Sequence, residues 1–156
     1  MPLFVVDTSA DAEEGQKRYI ATFFRDVRSL NGYRVVVGGT KMDREIKRKD
    51  SLFRVIKNLR DVGRLTTIDR YVVDTKSEQI ESRVLQKLGV IPASCDDFHI
   101  FAICIISGCQ NIITSEQRIR DCVELIRAVV GHDYCPQVRL IRDEVTYLQL
   151  KNTGQL

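Results

Sequence analysis

The residues best suited to chemistry in this sequence are acids standing where one sequence pattern gives way to another: Asp7, Glu45, Asp97 and Glu116. Asp7 directly follows the apolar run Leu3 to Val6. Glu45 falls in the first turns of a helical pattern, Asp97 opens the most apolar stretch of the chain, and Glu116 comes just after Ile112 and Ile113. Carboxylates gathered from such junctions repel one another and need a counter-charge. Hard oxygen ligands with few His or Cys around them suit Mg²⁺ or Mn²⁺ better than zinc. Such ions activate a water, clamp a phosphate and stabilise a leaving oxygen during in-line hydrolysis. A plainer role is open to each acid. Asp7 can close an Asx turn onto the amides of Ser9 and Ala10, Asp97 can complete a capping box begun at Ser94, and Glu45 and Glu116 gain from a helix dipole without any ion.

Elements able to position these acids can be read along the chain. Leu3 to Val6 has the profile of a buried parallel strand running into a loop. Asp11 can cap a helix carrying Ile20, Phe23, Phe24, Val27 and Leu30, with Asn31-Gly32 as its stop. Val35 to Val37 forms a second strand ending at Gly38-Gly39. Thr40 and Asp43 have capping-box spacing for the helix that holds Glu45. Ser51 opens a helix with Leu52, Ile56 and Leu59 on one face, and Leu65 to Ile68 is a short strand. The spacing predicts a helix over Ser77 to Leu88, with Ile80, Val84, Leu85 and Leu88 buried, and treats Asp74 as a loop or capping residue ahead of it. From Asp97 to Gly108 the chain is apolar almost all round, which belongs at the centre of a domain. Ile112-Ile113 is a strand, Ile119 to Val130 a helix, and Val138 to Leu150 alternates like a hairpin or an edge strand around Arg142 to Glu144. Strands alternating with helices imply an α/β fold, a mostly parallel sheet covered by helices on both faces, with ligands at the carboxyl ends of the strands.

The 156 residues, 44% of them hydrophobic, fit a single domain over 1–156 with a continuous core. A net charge of +3 identifies no partner. Its distribution is more telling, because nine basic residues between Lys41 and Arg64 face four acidic ones. Lys41, Arg44, Lys47 and Arg48 lead this segment and would attract a phosphate backbone, although a solvated helical face has the same composition. Five cysteines, odd in number and without a CxxC pair, read as small apolar side chains in a reducing compartment. His99, two residues along a helix from Asp97, is expected on another face, and His132 follows a helix-ending glycine; both read as structural or surface residues. No apolar run approaches the ~20 residues that span a bilayer, so the expectation is a soluble cytoplasmic protein that meets no membrane.

Taken together, Val5-Val6-Asp7-Thr8-Ser9, Met42-Asp43-Arg44-Glu45-Ile46, Asp96-Asp97-Phe98-His99-Ile100-Phe101-Ala102 and Asn111 to Ile119 resemble, in order and spacing, the motifs of the PIN-domain ribonuclease family. The resemblance covers about residues 3 to 120. It implies a divalent-metal-dependent endoribonuclease that cleaves single-stranded RNA to a 5′-phosphate and a 3′-hydroxyl. Asp7, Asp97 and Glu116 match the metal-holding acids, and Glu45 matches the acid of the following helical segment, a ligand or a positioner of water. Asp96 and Asp43 are the nearest substitutes if the register shifts. The family more often has Asp where Glu116 stands, and the extra methylene moves the ligand or makes it bind through water. Thr8, Ser9 and Thr114 match hydroxyls that orient the acids. Many small members are dimeric toxins, which implies a homodimer and an antitoxin or regulatory protein as partners.

Other readings carry less. Asp7 to Asp11 partly resembles the adhesion-type metal motif of the von Willebrand A fold, with Asp11 where a Ser is needed. Gly38-Gly39-Thr40-Lys41 lacks phosphate-loop spacing. The rival of another class is a PIN-like domain that has lost catalysis and binds RNA or protein, which the substitution at Glu116 and the few aromatic residues would suit.

Overall fold

The computed structural model describes residues 3–7, 33–114, 116–131, 136–141 and 144–152. The helix expected from Asp11 to Leu30, its Asn31-Gly32 stop, the Asx turn and the hydroxyls of Thr8 and Ser9, together with His132, Cys135, Arg142 and Asp143, lie outside the described residues.

Strand β1 (Leu3–Val6) is a run with almost no exposed surface, and β2 (Arg34–Gly38) is built on three consecutive buried valines. With β3 (Leu65–Ile68), β4 (Asn111–Thr114) and β5 (Gln137–Leu140) they form a sheet of order β3-β2-β1-β4-β5. Every pairing is parallel, with Phe4 opposite Val35 on one side of β1 and Val5 opposite Ile112 on the other. Parallel strands need crossover connections, which the helices supply. They are α1 (Thr40–Arg48), α2 (Asp50–Asp61), α3 (Arg70–Leu88), α4 (Phe98–Ser107), α5 (Gln117–Val130) and α6 (Glu144–Asn152). The α/β fold with a central parallel sheet is therefore as expected.

Helix α4 has the all-round apolar sequence of a central helix, and residues Phe98 to Cys104 are all buried. It packs chiefly on α3 and also touches β1 and β2. The sequence expectations for α3 need correction. The helix begins at Arg70, seven residues before Ser77, and Asp69 caps it by accepting the Val72 amide. Its buried face is Val73, Ile80 and Val84, whereas Leu85 and Leu88 are exposed. Asp74 is thus inside the helix, where its carboxylate accepts the Thr40 amide at 2.9 Å and the Thr40 hydroxyl. That contact replaces the Thr40–Asp43 capping box: Gly39 is the N-cap, with no side-chain cap bond, and Asp43 accepts instead from Lys47. The hairpin also fails. The tail gives one parallel edge strand, β5, followed by α6, on which Tyr147 is buried.

The cysteines do not all behave as free apolar side chains. Cys95 and Cys122 form a disulfide with their Cα atoms 5.4 Å apart, while Cys104 and Cys109 are buried and take no part in it. A 27-residue separation carries no motif, so sequence spacing gives no sign of it. Among the described residues no helix is long and apolar enough to cross a membrane.

Gly39 makes the turn from β2 into α1. Its φ of 87° lies in the region that side chains rarely adopt, and a Cβ there would approach Val73 Cγ1 to 2.7 Å. Gly63 has φ 72° with open space beyond it. Urea unfolding is expected to separate the two: Gly63→Ala costs about 1 kcal/mol from backbone strain alone, and Gly39→Ala about 2–4 kcal/mol because α3 must also give way.

Candidate functional site

The parallel strands β1, β2 and β4 end on one edge of the sheet, at Val6, Gly38 and Thr114. Asp7 leaves β1 there. Its amide still donates to the Ile113 carbonyl at 2.9 Å, so its backbone continues the ladder, and its carboxylate is 1% exposed. The Thr114 hydroxyl donates to Asp7 Oδ2 at 2.9 Å and accepts the Glu116 amide at 3.1 Å. Thr114 therefore fixes the orientation of Asp7 and ties it to the start of α5.

Asp97 immediately precedes α4, yet its side chain makes no cap bond. Only 5% exposed, it accepts Lys41 Nζ on Oδ1 at 2.6 Å and Arg118 Nη2 on Oδ2 at 2.7 Å. The capping-box alternative for Asp97 gives way to these charges. Arg118 reaches further, donating from Nη1 to Asp96 at 2.7 Å and from Nε to Glu116. One guanidinium thus joins three carboxylates from the α4 entrance and the α5 N-terminus.

These contacts set the ionisation of the group. Burial alone would raise the Asp97 carboxyl, but the Lys41 hydrogen bond and the Lys41 and Arg118 charges outweigh it and hold Asp97 below its ordinary value. Burial likewise works against Lys41, and the Asp97 hydrogen bond and the surrounding acids leave it above its ordinary value. The hydrogen bond to Glu116 leads the causes that hold Arg118 firmly protonated. Lys41 is half exposed and Arg118 about a third. Water therefore screens both, and each pair contributes nearer ~1 kcal/mol than the ~3–5 kcal/mol lost on breaking a fully buried one.

Glu45, on α1, is largely buried beside His99 of α4, with Nε2 and Oε2 3.9 Å apart. The expectation that His99 faces away from the acids is corrected. Because α4 starts at Phe98, the ring sits one residue into the helix and turns toward α1. His99 is 5% exposed, and neither ring nitrogen has a hydrogen-bond partner among the described residues. Leaving a buried polar group unsatisfied costs ~1–3 kcal/mol. Burial first, opposed by Glu45 and aided by Lys41, keeps the imidazole below its ordinary pKa and so neutral, the form that ligates metals.

The predicted acids are therefore distributed over three groupings: Asp7 with Thr114, Asp97 with Asp96 and Glu116 through Arg118, and Glu45 with His99. Among the described residues no three of His, Cys, Asp or Glu are placed to share one ion as they stand. Asp43 pairs with Lys47 on the exposed side of α1. Of the basic residues proposed for RNA, Lys41 is engaged with Asp97 and Lys47 with Asp43, while Arg44 and Arg48 are exposed. Beside α1 lies a cavity of about 830 Å³ bordered by Gly38, Met42, Lys47, Phe53, Arg60 and Ile68.

Sequence reasoning passed over Arg118 and gave His99 and Asp74 only structural, surface or capping roles. The signal for Arg118 was available, since clustered acids need a counter-charge and it stands two residues beyond Glu116. Two features of the site bear on whether it could take up a divalent cation. Its carboxylates are balanced by side chains that are themselves partly exposed, and a buried imidazole lies beside them with no hydrogen-bond partner among the described residues. No protein-family model matches the chain, and no curated protein matches its sequence.

Two outcomes follow for the metal-free protein. A carboxyl lowered on folding adds stability that is full above its unfolded value, near 3.8, and is lost as pH falls through the lower folded value. Lys41→Met removes the leading cause of that lowering, so the midpoint of acid unfolding, followed by circular dichroism, moves to higher pH. Arg118→Gln leaves three acids without their shared cation and lowers stability by about 1–2 kcal/mol; added Mn²⁺ raises the variant's melting temperature more than that of the natural chain.

Proposed function

We propose that this chain is a PIN-like, divalent-metal-dependent endoribonuclease acting on single-stranded RNA. The observation that carries the reading is the burial of two carboxylates, Asp7 and Asp97, at the carboxyl edge of a parallel sheet, with the unpartnered His99 beside Glu45. Buried acids are costly unless something charged is to be held.

Asp7, Asp97 and Glu116 would hold Mg²⁺ or Mn²⁺, which supplies a water of lowered pKa and charge stabilisation for the leaving oxygen when bound. Thr114 keeps Asp7 in one orientation through its hydroxyl. Glu45 either joins the ligands or orients the attacking water. Arg118 and Lys41 balance the acids before an ion arrives, and once released both can meet the phosphate of the substrate. Exposed Arg44 and Arg48 attract the backbone, and Phe53, 47% exposed at the cavity, offers a base a face to stack on. A homodimer and an antitoxin or other regulatory protein belong to the same reading. So does a cytoplasmic location, against which the Cys95–Cys122 disulfide weighs, since cytosolic thiols are kept reduced.

A second reading, a catalytically weakened module that binds RNA or protein, is favoured by Arg118 itself. A chain that neutralises Asp96, Asp97 and Glu116 with its own guanidinium has less need of an ion.

End-labelled single-stranded RNA incubated with the protein and Mn²⁺ or Mg²⁺ separates the two. Cleavage is expected to leave 5′-phosphate and 3′-hydroxyl ends and to be abolished by EDTA, by Asp7→Asn and by Asp97→Asn. Cleavage that survives all three sinks the assigned site. Intact metal binding without cleavage favours the module.

A further inference from the structure

We propose that His99 is a nitrogen ligand of the divalent ion, so that the site prefers Mn²⁺ and later first-row metals to Mg²⁺. This rests on the reading that the surrounding acids hold a cation, and it goes beyond an all-oxygen site.

Among the described residues neither ring nitrogen of His99 has a hydrogen-bond partner, in a position that is 5% exposed. Buried polar side chains with no partner are few in folded proteins, and an ion or water beside them is one established reason. The neighbours of the ring narrow the choice. Glu45, Asp97 and Asp96 all act on it electrostatically, as does Lys41, which is bound to Asp97, while Arg118 holds Asp96 and Asp97 from the α5 side. Water would satisfy the ring alone, whereas an ion would engage the ring and the neighbouring carboxylates together, in exchange for the contacts those acids make with Lys41 and Arg118.

The spacing allows it. First-row cations hold nitrogen and carboxylate oxygen at ~2.0–2.2 Å, so two donors to one ion lie no more than ~4.4 Å apart. The His99 Nε2 to Glu45 Oε2 distance of 3.9 Å is too long for a hydrogen bond and short enough to be bridged. An imidazole among carboxylates changes the preference of the site. Mg²⁺ takes oxygen ligands and sheds water reluctantly, whereas affinity for nitrogen-containing sites rises from Mn²⁺ through cobalt and nickel. A His99 that merely held Glu45 in place would leave the metal with oxygen ligands and this order unchanged.

The test uses the full chain, stripped with EDTA and loaded with Mn²⁺, and reads the nuclear modulation of the electron spin echo. Directly bound ¹⁴N is expected in the natural chain and in His132→Ala, and absent in His99→Gln. Uniform ¹⁵N-histidine labelling replaces the ¹⁴N signal with ¹⁵N, a check that needs no substitution and so holds if His99→Gln fails to fold. Mn²⁺ affinity by calorimetry should fall about tenfold or more in His99→Gln, with Mg²⁺ affinity little changed. Bound Mn²⁺ without nitrogen coupling in the natural chain overturns the proposal and leaves the carboxylate site standing. So does coupling that persists in His99→Gln. Absence of Mn²⁺ binding altogether overturns the metal reading itself.

Discussion

A negative charge buried at the mouth of a sheet is the constraint around which this molecule is organised. Asp97 has almost no contact with solvent, and its charge persists because Lys41 comes from α1 on one oxygen and Arg118 from α5 on the other. Those two helices follow different strands, so satisfying one carboxylate fixes the relative placement of α1, the α4 entrance and α5. Removing either cation leaves a charge that the interior does not tolerate cheaply.

The apolar architecture makes that placement possible. Central strand β1 is hydrogen-bonded on both sides, and α4 lies across β1 and β2 with seven consecutive buried residues. A helix so fully enclosed cannot shift to relieve strain at its first residue, so Asp97 is presented rigidly. The Thr40–Asp74 contact does the same for α1, binding its first turn to the side of α3. Polar atoms at the edge are thus held by a core that has little freedom of its own.

The sequence made much of this legible, and the gaps have physical causes. β1, β2, β4 and α4 were readable because each is an apolar run bounded by polar or glycine residues. The start of α3 was not, because Val73 is its only buried residue before Ile80 and the polar stretch between them resembles a loop. The tail misled because Val138 to Leu150 alternates apolar and polar residues at a spacing that suits a short strand and a short helix alike. Within the site, the positions of the acids could be inferred from the strand ends, whereas their partners could not. Lys41 and Asp97 are 56 residues apart, and Arg118 and Asp97 are 21 apart, distances over which no local pattern operates. The inward turn of His99 depended on where α4 begins, and a boundary of one residue moves a side chain by about 100° around a helix.

The disulfide gives the Arg118 clamp a particular kind of persistence. Cys122 lies one turn beyond Arg118 on α5, and Cys95 immediately precedes Asp96, so the covalent bond joins the two sides that the guanidinium bridges. When Arg118 lets go of its carboxylates it stays within reach of them, as an intramolecular competitor whose effective concentration is set by the tether and not by the amount of protein. Under the proposed metal reading, a cation arriving from solution would meet a rival that dilution of the protein does not remove.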